Sequence, residues 1–338
     1  MIKPKNKKKT PQRKKPPKKL TQNTPDIKVF MNPKTDFGFN KIFGVKKLLI
    51  SFLNATELLP ETIVDIEYLP NEQSGNNSKT RKAIYDVHAI SSDGKRFIVE
   101  MQLSGQSHFV ERLLFYASYP IIDQAPKGKV DKINKDGKEV KANWNYSIAG
   151  VCVIAILNFN LFKDEASKNI PVEYVKLIRQ NANVEFTDKY QFMIIELKKF
   201  NKKSNELTTK LEKWIFCIKN MEDLNAIPKE LQDEIFQELF AISELKKLKG
   251  GEMKAYKQSA KRYNDLANVI EYAEEQGIEQ GIEQGIEQGI EQGIEIGKER
   301  IIKRIMQNRN KFNFNIKQIA EITGYSIKEL TGLLKKIE

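Results

Sequence analysis

Asp86 and Glu100 stand symmetrically about Asp93, seven residues before it and seven after it. Between them Ser91-Ser92-Asp93-Gly94-Lys95 carries the Asp-Gly pair of a hairpin turn. A symmetric connection sets the two acids directly opposite each other on antiparallel strands, with Cβ atoms ~4.5 to 5.5 Å apart. Like charges facing each other destabilise a hairpin, and a divalent cation between them offsets that cost. Hard oxygen ligands select Mg²⁺ or Mn²⁺. Gln102, two residues beyond Glu100, points to the same face and can hold a water or a phosphate oxygen beside the cation. The group suits hydrolysis by a metal-activated water. An edge hairpin with one solvated polar face would show the same alternation, and a one-residue slip of register would put the acids on opposite faces. His88 shares the face of Asp86. With only two histidines in the chain, His88 and His108, a zinc site has little material, and both are read as structural or supporting groups.

The elements that must position these residues follow from periodicity. Asn32-Pro33-Lys34-Thr35-Asp36 combines capping side chains, an early Pro and an acid ahead of apolar positions Phe39, Ile42, Phe43, Leu49, Ile50 and Leu53. That spacing predicts one helix of about five turns, ending near Asn54. Strand-like runs follow at residues 62–69, 82–90 and 96–103, then a helix over 109–119 and a Lys/Gly-rich loop at 127–141. A buried strand is expected at 146–159, and a strand pair or one long strand at 184–197. The class is α/β. Residues 210–268 read as helical, with Trp214, Ile215 and Ile218 on an apolar face.

Gln-Gly-Ile-Glu then repeats five times without error over residues 276–295. A four-residue period advances about 400°, so the isoleucines drift around a helix rather than form a straight stripe. The five glycines cost about 4 to 5 kcal/mol relative to alanine in a helix. A semi-flexible linker and a close-packing, self-associating helix are both open readings, the second making a homo-oligomer. Residues 316–322, the turn at Thr323-Gly324-Tyr325, and residues 326–337 resemble a small helix-turn-helix unit.

The net charge of +13 is unevenly spread. Residues 1–28 carry +10 and residues 298–338 carry +6, which leaves the body between them at −3. Cationic ends attract polyanions by counterion release, so nucleic acid is the expected partner, a merely solubilising tail being the other reading. The tail of residues 1–28 is also too polar to offset its ordering entropy and is expected to be disordered. Cys152 and Cys217 each lie in an apolar run, which fits core thiols in a reducing compartment. No apolar run is long enough to span a bilayer, so a cytoplasmic protein without membrane contact is expected.

Several motifs in order resemble one family. They are Thr35-Asp36-Phe37-Gly38-Phe39-Asn40-Lys41-Ile42-Phe43-Gly44; Tyr85-Asp86-Val87; Ile98-Val99-Glu100-Met101-Gln102; Phe109, Arg112 and Tyr116; and Glu196 to Phe200. Together, over about residues 32–220, the chain resembles the recombination-promoting nuclease/transposase family of the PD-(D/E)XK nuclease superfamily. The resemblance implies a restriction-endonuclease-like core (helix, three-stranded meander, helix, further strands) with a helical C-terminal extension. It implies Mg²⁺-dependent cleavage of DNA phosphodiesters, linked to recombination or mobile elements. By that resemblance Asp86 and Glu100 are the metal-binding acids, Asp36 an additional acid on the first helix, and Gln102 stands in the place of the superfamily's lysine. Arg112 and Tyr116 would face the scissile phosphate. Asn40 departs from the lysine common at its place. The expected organisation is a basic tail (1–28), a nuclease-like domain (29–225), a helical extension (226–275), the repeat (276–297) and a basic helical unit (298–338). Two alternatives stay open: a degenerate nuclease that grips DNA without cutting it, and a scaffold assembled through the repeat.

Overall fold

A computed structural model of the chain describes residues 28–73, 82–125, 132–133, 139–140, 146–307 and 314–337. The basic stretch of residues 1–27 and most of the stretch at 127–141 lie outside the described residues. The chain divides into two compact units, Met1–Lys261 and Arg262–Glu338.

The first unit is built on a six-stranded mixed sheet. Its strands are β1 (Ile66–Tyr68), β2 (Val87–Ser91), β3 (Arg96–Gln102), β4 (Val151–Leu157), β5 (Val172–Lys176) and β6 (Tyr190–Glu196), in spatial order β1-β2-β3-β4-β6-β5. The meander β1-β2-β3 is antiparallel, as its hairpin signal predicts. β4 then runs parallel to both β3 and β6, and β5 closes the far edge antiparallel to β6. Every residue of β4 is buried, because a strand with parallel neighbours is covered on both faces. β5 lies in residues that the alternation of apolar side chains left unassigned, for its residues are half-buried or exposed along the edge.

Helices α1 (Asp36–Phe43), α2 (Lys46–Ala55), α4 (Lys210–Asn220) and α5 (Glu234–Ser243) cover one face. They share an aromatic nucleus in which Phe43 stacks on Trp214 at 6.0 Å and Trp214 meets Phe236 at 5.4 Å. Helix α3 (Phe109–Ile122) covers the other, packing Phe109, Leu113 and Ala117 over Ile98, Val153 and Ala155. The single five-turn helix expected at the start is two helices. Gly44 ends α1 by donating its N–H to Asn40 and Ile42, and the β-branched Val45 is extended (φ −91°, ψ 110°). A Cβ on Gly44 would lie 2.5 Å from the Asn40 carbonyl oxygen, so only glycine permits this closure.

In the second unit the repeat is helical throughout, within α6 (Gly250–Gln307). Its isoleucines at 278, 282, 286, 290 and 294 are all exposed. Helices α7 (Ile316–Thr323) and α8 (Ile327–Ile337) are separated by Gly324 at φ +73°, a left-handed stop that favours glycine. Ile302, Ile319 and Leu330 form their small core. Among the described residues no helix is long and apolar enough to cross a membrane.

Candidate active site

The register of β2 on β3 pairs Val87 with Val99 and His88 with Ile98, and its continuation sets Asp86 opposite Glu100. The symmetry comes from the turn. Gly94 adopts φ +84°, its N–H bonds the Ser91 carbonyl, and Ser91 N–H bonds Lys95, so the two strands leave the turn in step. At Asp86 they part. Residues Ala83–Ile84 turn away to pair with Glu72–Gln73, and Asn71 holds the bend by accepting the Tyr85 N–H at 2.8 Å and donating its amide to the Asp86 carbonyl at 3.0 Å. Beyond the last backbone rung the two acids continue the ladder with their side chains. Met101 N–H donates to Asp86 Oδ2 at 2.8 Å, and Asp86 N–H donates to Glu100 Oε1 at 3.3 Å. The hairpin therefore delivers both carboxylates to one face, at the point where the strands separate.

Burial governs their electrostatics. Glu100 is 6% exposed, and burial together with the Asp86 charge pushes its carboxyl up to about 8. Asp86 is half-buried and is also raised, by burial first and then by the charge of Asp36, against the Met101 hydrogen bond and the Arg112 charge. Asp36 thus acts on Asp86 through its charge. It sits exposed in the first turn of α1, fixed there because Thr35 caps Gly38 N–H at 3.0 Å and bonds the Asn32 carbonyl at 2.8 Å. Asn40 donates its amide to the Asp36 carbonyl at 2.9 Å. His88 is fully buried against Tyr85, with Nδ1 3.1 Å from the Pro70 carbonyl, and burial lowers its pKa, in keeping with a supporting role.

Gln102 Oε1 accepts a hydrogen bond from Arg112 Nη2 at 2.7 Å, so the last polar residue of β3 is tied to the first turn of α3. Arg112 also donates to Gln106 at 2.5 Å, and its guanidinium lies 5.1 Å from the Phe109 ring and 5.7 Å from the Tyr116 ring. Tyr116 contributes its ring and its carbonyl. Pro120 lies inside α3 and has no N–H for the carbonyl four residues back. Tyr85 fills the vacancy, donating its hydroxyl to Tyr116 O at 3.0 Å. The residue beside Asp86 thereby anchors the helix that carries Arg112.

Sequence reasoning assigned no role to Asn71, Tyr85 or Gln106. The helix expected over residues 109–119 runs on to Ile122 and takes in Pro120, so a carbonyl needs an outside donor. The Glu196 to Phe200 motif acquires a structural task. Glu196 is fully buried at the end of β6, accepts the N–H groups of Leu161 and Phe162, and pairs with Lys199 at 2.6 Å. Lys199 in turn donates to the carbonyls of Phe162 and Ser167, which ties down the loop after β4.

Among the described residues, no three His, Cys, Asp or Glu side chains stand close enough to form a ready-made metal cage. The donor set nevertheless fits a hard divalent cation: two adjacent carboxylates, both raised by burial first, with the Asp86 charge adding to the shift of Glu100 and the Asp36 charge to that of Asp86. A cavity of about 720 Å³ lined by Tyr174, Lys202, Glu212 and others contains none of these residues. It is not the place of the chemistry suggested by the carboxylates.

A family model described as PD-(D/E)XK nuclease family transposase matches residues 33–273. The mixed sheet with helices on both faces is consistent with such a fold. No curated protein and no solved structure matches the chain.

Proposed function

The chain belongs to the family of PD-(D/E)XK nuclease transposases, and from that premise we propose that it is a metal-dependent DNA endonuclease with Asp86 and Glu100 as its cation ligands. The observation that carries this reading is the register: a symmetric hairpin places the two acids opposite each other where the strands part. A Mg²⁺ or Mn²⁺ ion bound there would make a water nucleophilic near neutral pH and offset charge on the phosphorane oxygens. Glu100, nearly excluded from water, holds its side of the site in low dielectric, where electrostatic interactions are strongest. Asp86 is oriented by the Met101 N–H, and Asp36 adds negative field. Gln102 accepts from Arg112 through Oε1 and donates through Nε2 to the Ser104 carbonyl at 3.3 Å, which leaves one amide N–H that would hold the attacking water or a phosphate oxygen. Arg112 and Tyr116, one turn apart on α3, would contact the DNA backbone. The basic residues 1–28 and 298–338 would add affinity with little sequence preference.

The test is conversion of supercoiled plasmid by purified protein with Mg²⁺ or Mn²⁺, beside Asp86→Ala and an EDTA control. Cleavage abolished by both the variant and the chelator is the expected result. A wild-type protein that binds plasmid and leaves it intact with either cation would replace this reading with that of a DNA-gripping module.

A further inference from the structure

The sheet has two outer strands, and they differ in what they leave open. β1 is three residues long, and a short edge offers little to pair with. β5 is longer in effect, because the chain runs on past Lys176 and Ile178–Arg179 pairs with Val184–Glu185 on the returning strand. Glu196 N–H bonds the Pro171 carbonyl and Phe186 N–H bonds the Leu177 carbonyl, each at 2.8 Å. Alternate residues of an antiparallel strand turn their backbone groups the same way. Glu173 and Val175 therefore also bond inward, while Val172, Tyr174, Lys176 and Ile178 turn their N–H and carbonyl groups outward. β5 is the last strand of the sheet, so no strand among the described residues meets that outer row. The side chains are open as well: Tyr174, Val175, Leu177 and Ile178 are exposed by 41% to 55%. Lysine commonly guards such an edge, but Lys176 is drawn aside to Glu185 at 3.0 Å.

We propose that this edge pairs with the same edge of a second copy of the chain, antiparallel about a two-fold axis at Val175, joining two six-stranded sheets into one. What identifies the occupant is the strand's match to itself. With the axis at Val175, Val175 faces Val175, Val172 faces Ile178, Tyr174 faces Lys176 and Glu173 faces Leu177. Every outward backbone group from Val172 to Ile178 then gains a partner. Valines meet valine or isoleucine, the lysine lies opposite an aromatic ring, and no like charges are opposed. The neighbouring registers lose this match. An axis at Tyr174 carries Leu177 and Ile178 past the first residue of the other β5, and an axis at Lys176 sets two lysines face to face. Glu100 lies on β3, three strands in from β5, so the junction does not involve the acids. It is also separate from the isoleucine repeat, which belongs to the second unit.

The experiment uses full-length protein and reads mass and register separately. Sedimentation equilibrium over about a hundredfold range of concentration should show wild type passing from monomer to dimer. Val175→Lys opposes two lysines on the axis and should weaken that equilibrium about tenfold or more, with the wild-type thermal transition kept. Register is read from Val175→Cys under mild oxidation. The central pair is of the non-hydrogen-bonded kind, with Cα atoms about 4.5 Å apart, a separation that a disulfide spans. A disulfide-linked dimer is expected from Val175→Cys and none from Val184→Cys, which is similarly exposed on the returning strand, away from the axis. Cys152 and Cys217 are buried and add no background. Association as tight in Val175→Lys as in wild type overturns the proposal. So does a Val175→Cys that cross-links no more than Val184→Cys. If Val175→Lys melts early, Ile178→Lys, which sets a charge against Val172 of the second copy, takes its place with the same expectation. A wild type that stays monomeric across the range also overturns the pairing, and leaves the edge to an extended peptide of another protein.

Discussion

On one face of the sheet, Val87, Ala89, Phe97, Val99, Cys152, Ile154 and Ile156 meet α1, α2, α4 and α5 in a core closed by Phe43, Phe52, Trp214 and Phe236. On the other face the same strands turn Ile98, Val153, Ala155 and Leu157 toward α3, but they also carry His88, Glu100 and Gln102. The strands supply both faces by strict alternation. What differs is the cover. Four helices bury one side in aromatic packing, while a single helix with polar residues in its first turn leaves the other side room for buried and half-buried polar groups. One face stabilises the unit, and the other carries polar groups that cost stability.

The comparison would break most visibly at Glu100. Glu100→Gln keeps the shape and removes the charge, so we expect cleavage to fall by ~10³-fold or more, as when one member of a cooperating catalytic group is lost. Its thermal midpoint should be unchanged or higher, because a buried carboxylate repelled by Asp86 has been removed. Plasmid cleavage beside a melting curve measures both, and a large fall in midpoint would mean that Glu100 is structural. On the opposite face Trp214→Ala should do the reverse. Trp214 is fully buried and bonds Ser51 Oγ at 3.3 Å, so truncation should cost ~3 to 5 kcal/mol in urea unfolding. The protein that remains folded should cleave at an undiminished rate per folded molecule.

The pH dependence of stability sharpens the contrast. The Glu100 carboxyl is held at about 8 in the folded chain against an ordinary 4.5, and Asp86 is shifted the same way. Between those values the folded state keeps a proton that the unfolded state releases. Without metal, stability should therefore fall as pH rises from about 5 toward 8 and level off above that, and Glu100→Gln should flatten the slope. Added Mg²⁺ should raise the midpoint more at the upper end of this window, because ligands bind the cation deprotonated. Urea titrations across the window in EDTA check the sign, and stability that rises with pH in the same way for wild type and variant would refute the assignment.

Much of this site was legible because a hairpin converts spacing into position. Equal counts on either side of Asp93 and one Asp-Gly turn were enough to set Asp86 against Glu100. The capping run before Asp36 was legible for a similar local reason, as Thr35 and Asn32 bond within a few residues. The break at Gly44–Val45 was not, because the apolar spacing continues through it and only the close approach to Asn40 reveals the need for glycine. β5 was missed because an edge strand with half-exposed residues carries little hydrophobic pattern. The link from Gln102 to Arg112 joins β3 to α3, and no sequence period reports which neutral amide a guanidinium will choose.

The smallest expected effect tests how the polar face keeps its one helix in place. Tyr85 donates to the Tyr116 carbonyl at 3.0 Å, which Pro120 leaves without a helical donor. Tyr85→Phe should cost ~0.5 to 1.5 kcal/mol, the usual net worth of such a bond. Pro120→Ala would return an N–H to the helix, so the carbonyl no longer depends on Tyr85. In the Pro120→Ala background the Tyr85→Phe penalty should shrink toward zero, with a coupling of about 1 kcal/mol across the four-protein cycle. Two additive losses would mean that the hydroxyl is not standing in for the missing N–H, and that α3 is held over the acids by its apolar contacts with Ile98 and Val153 instead.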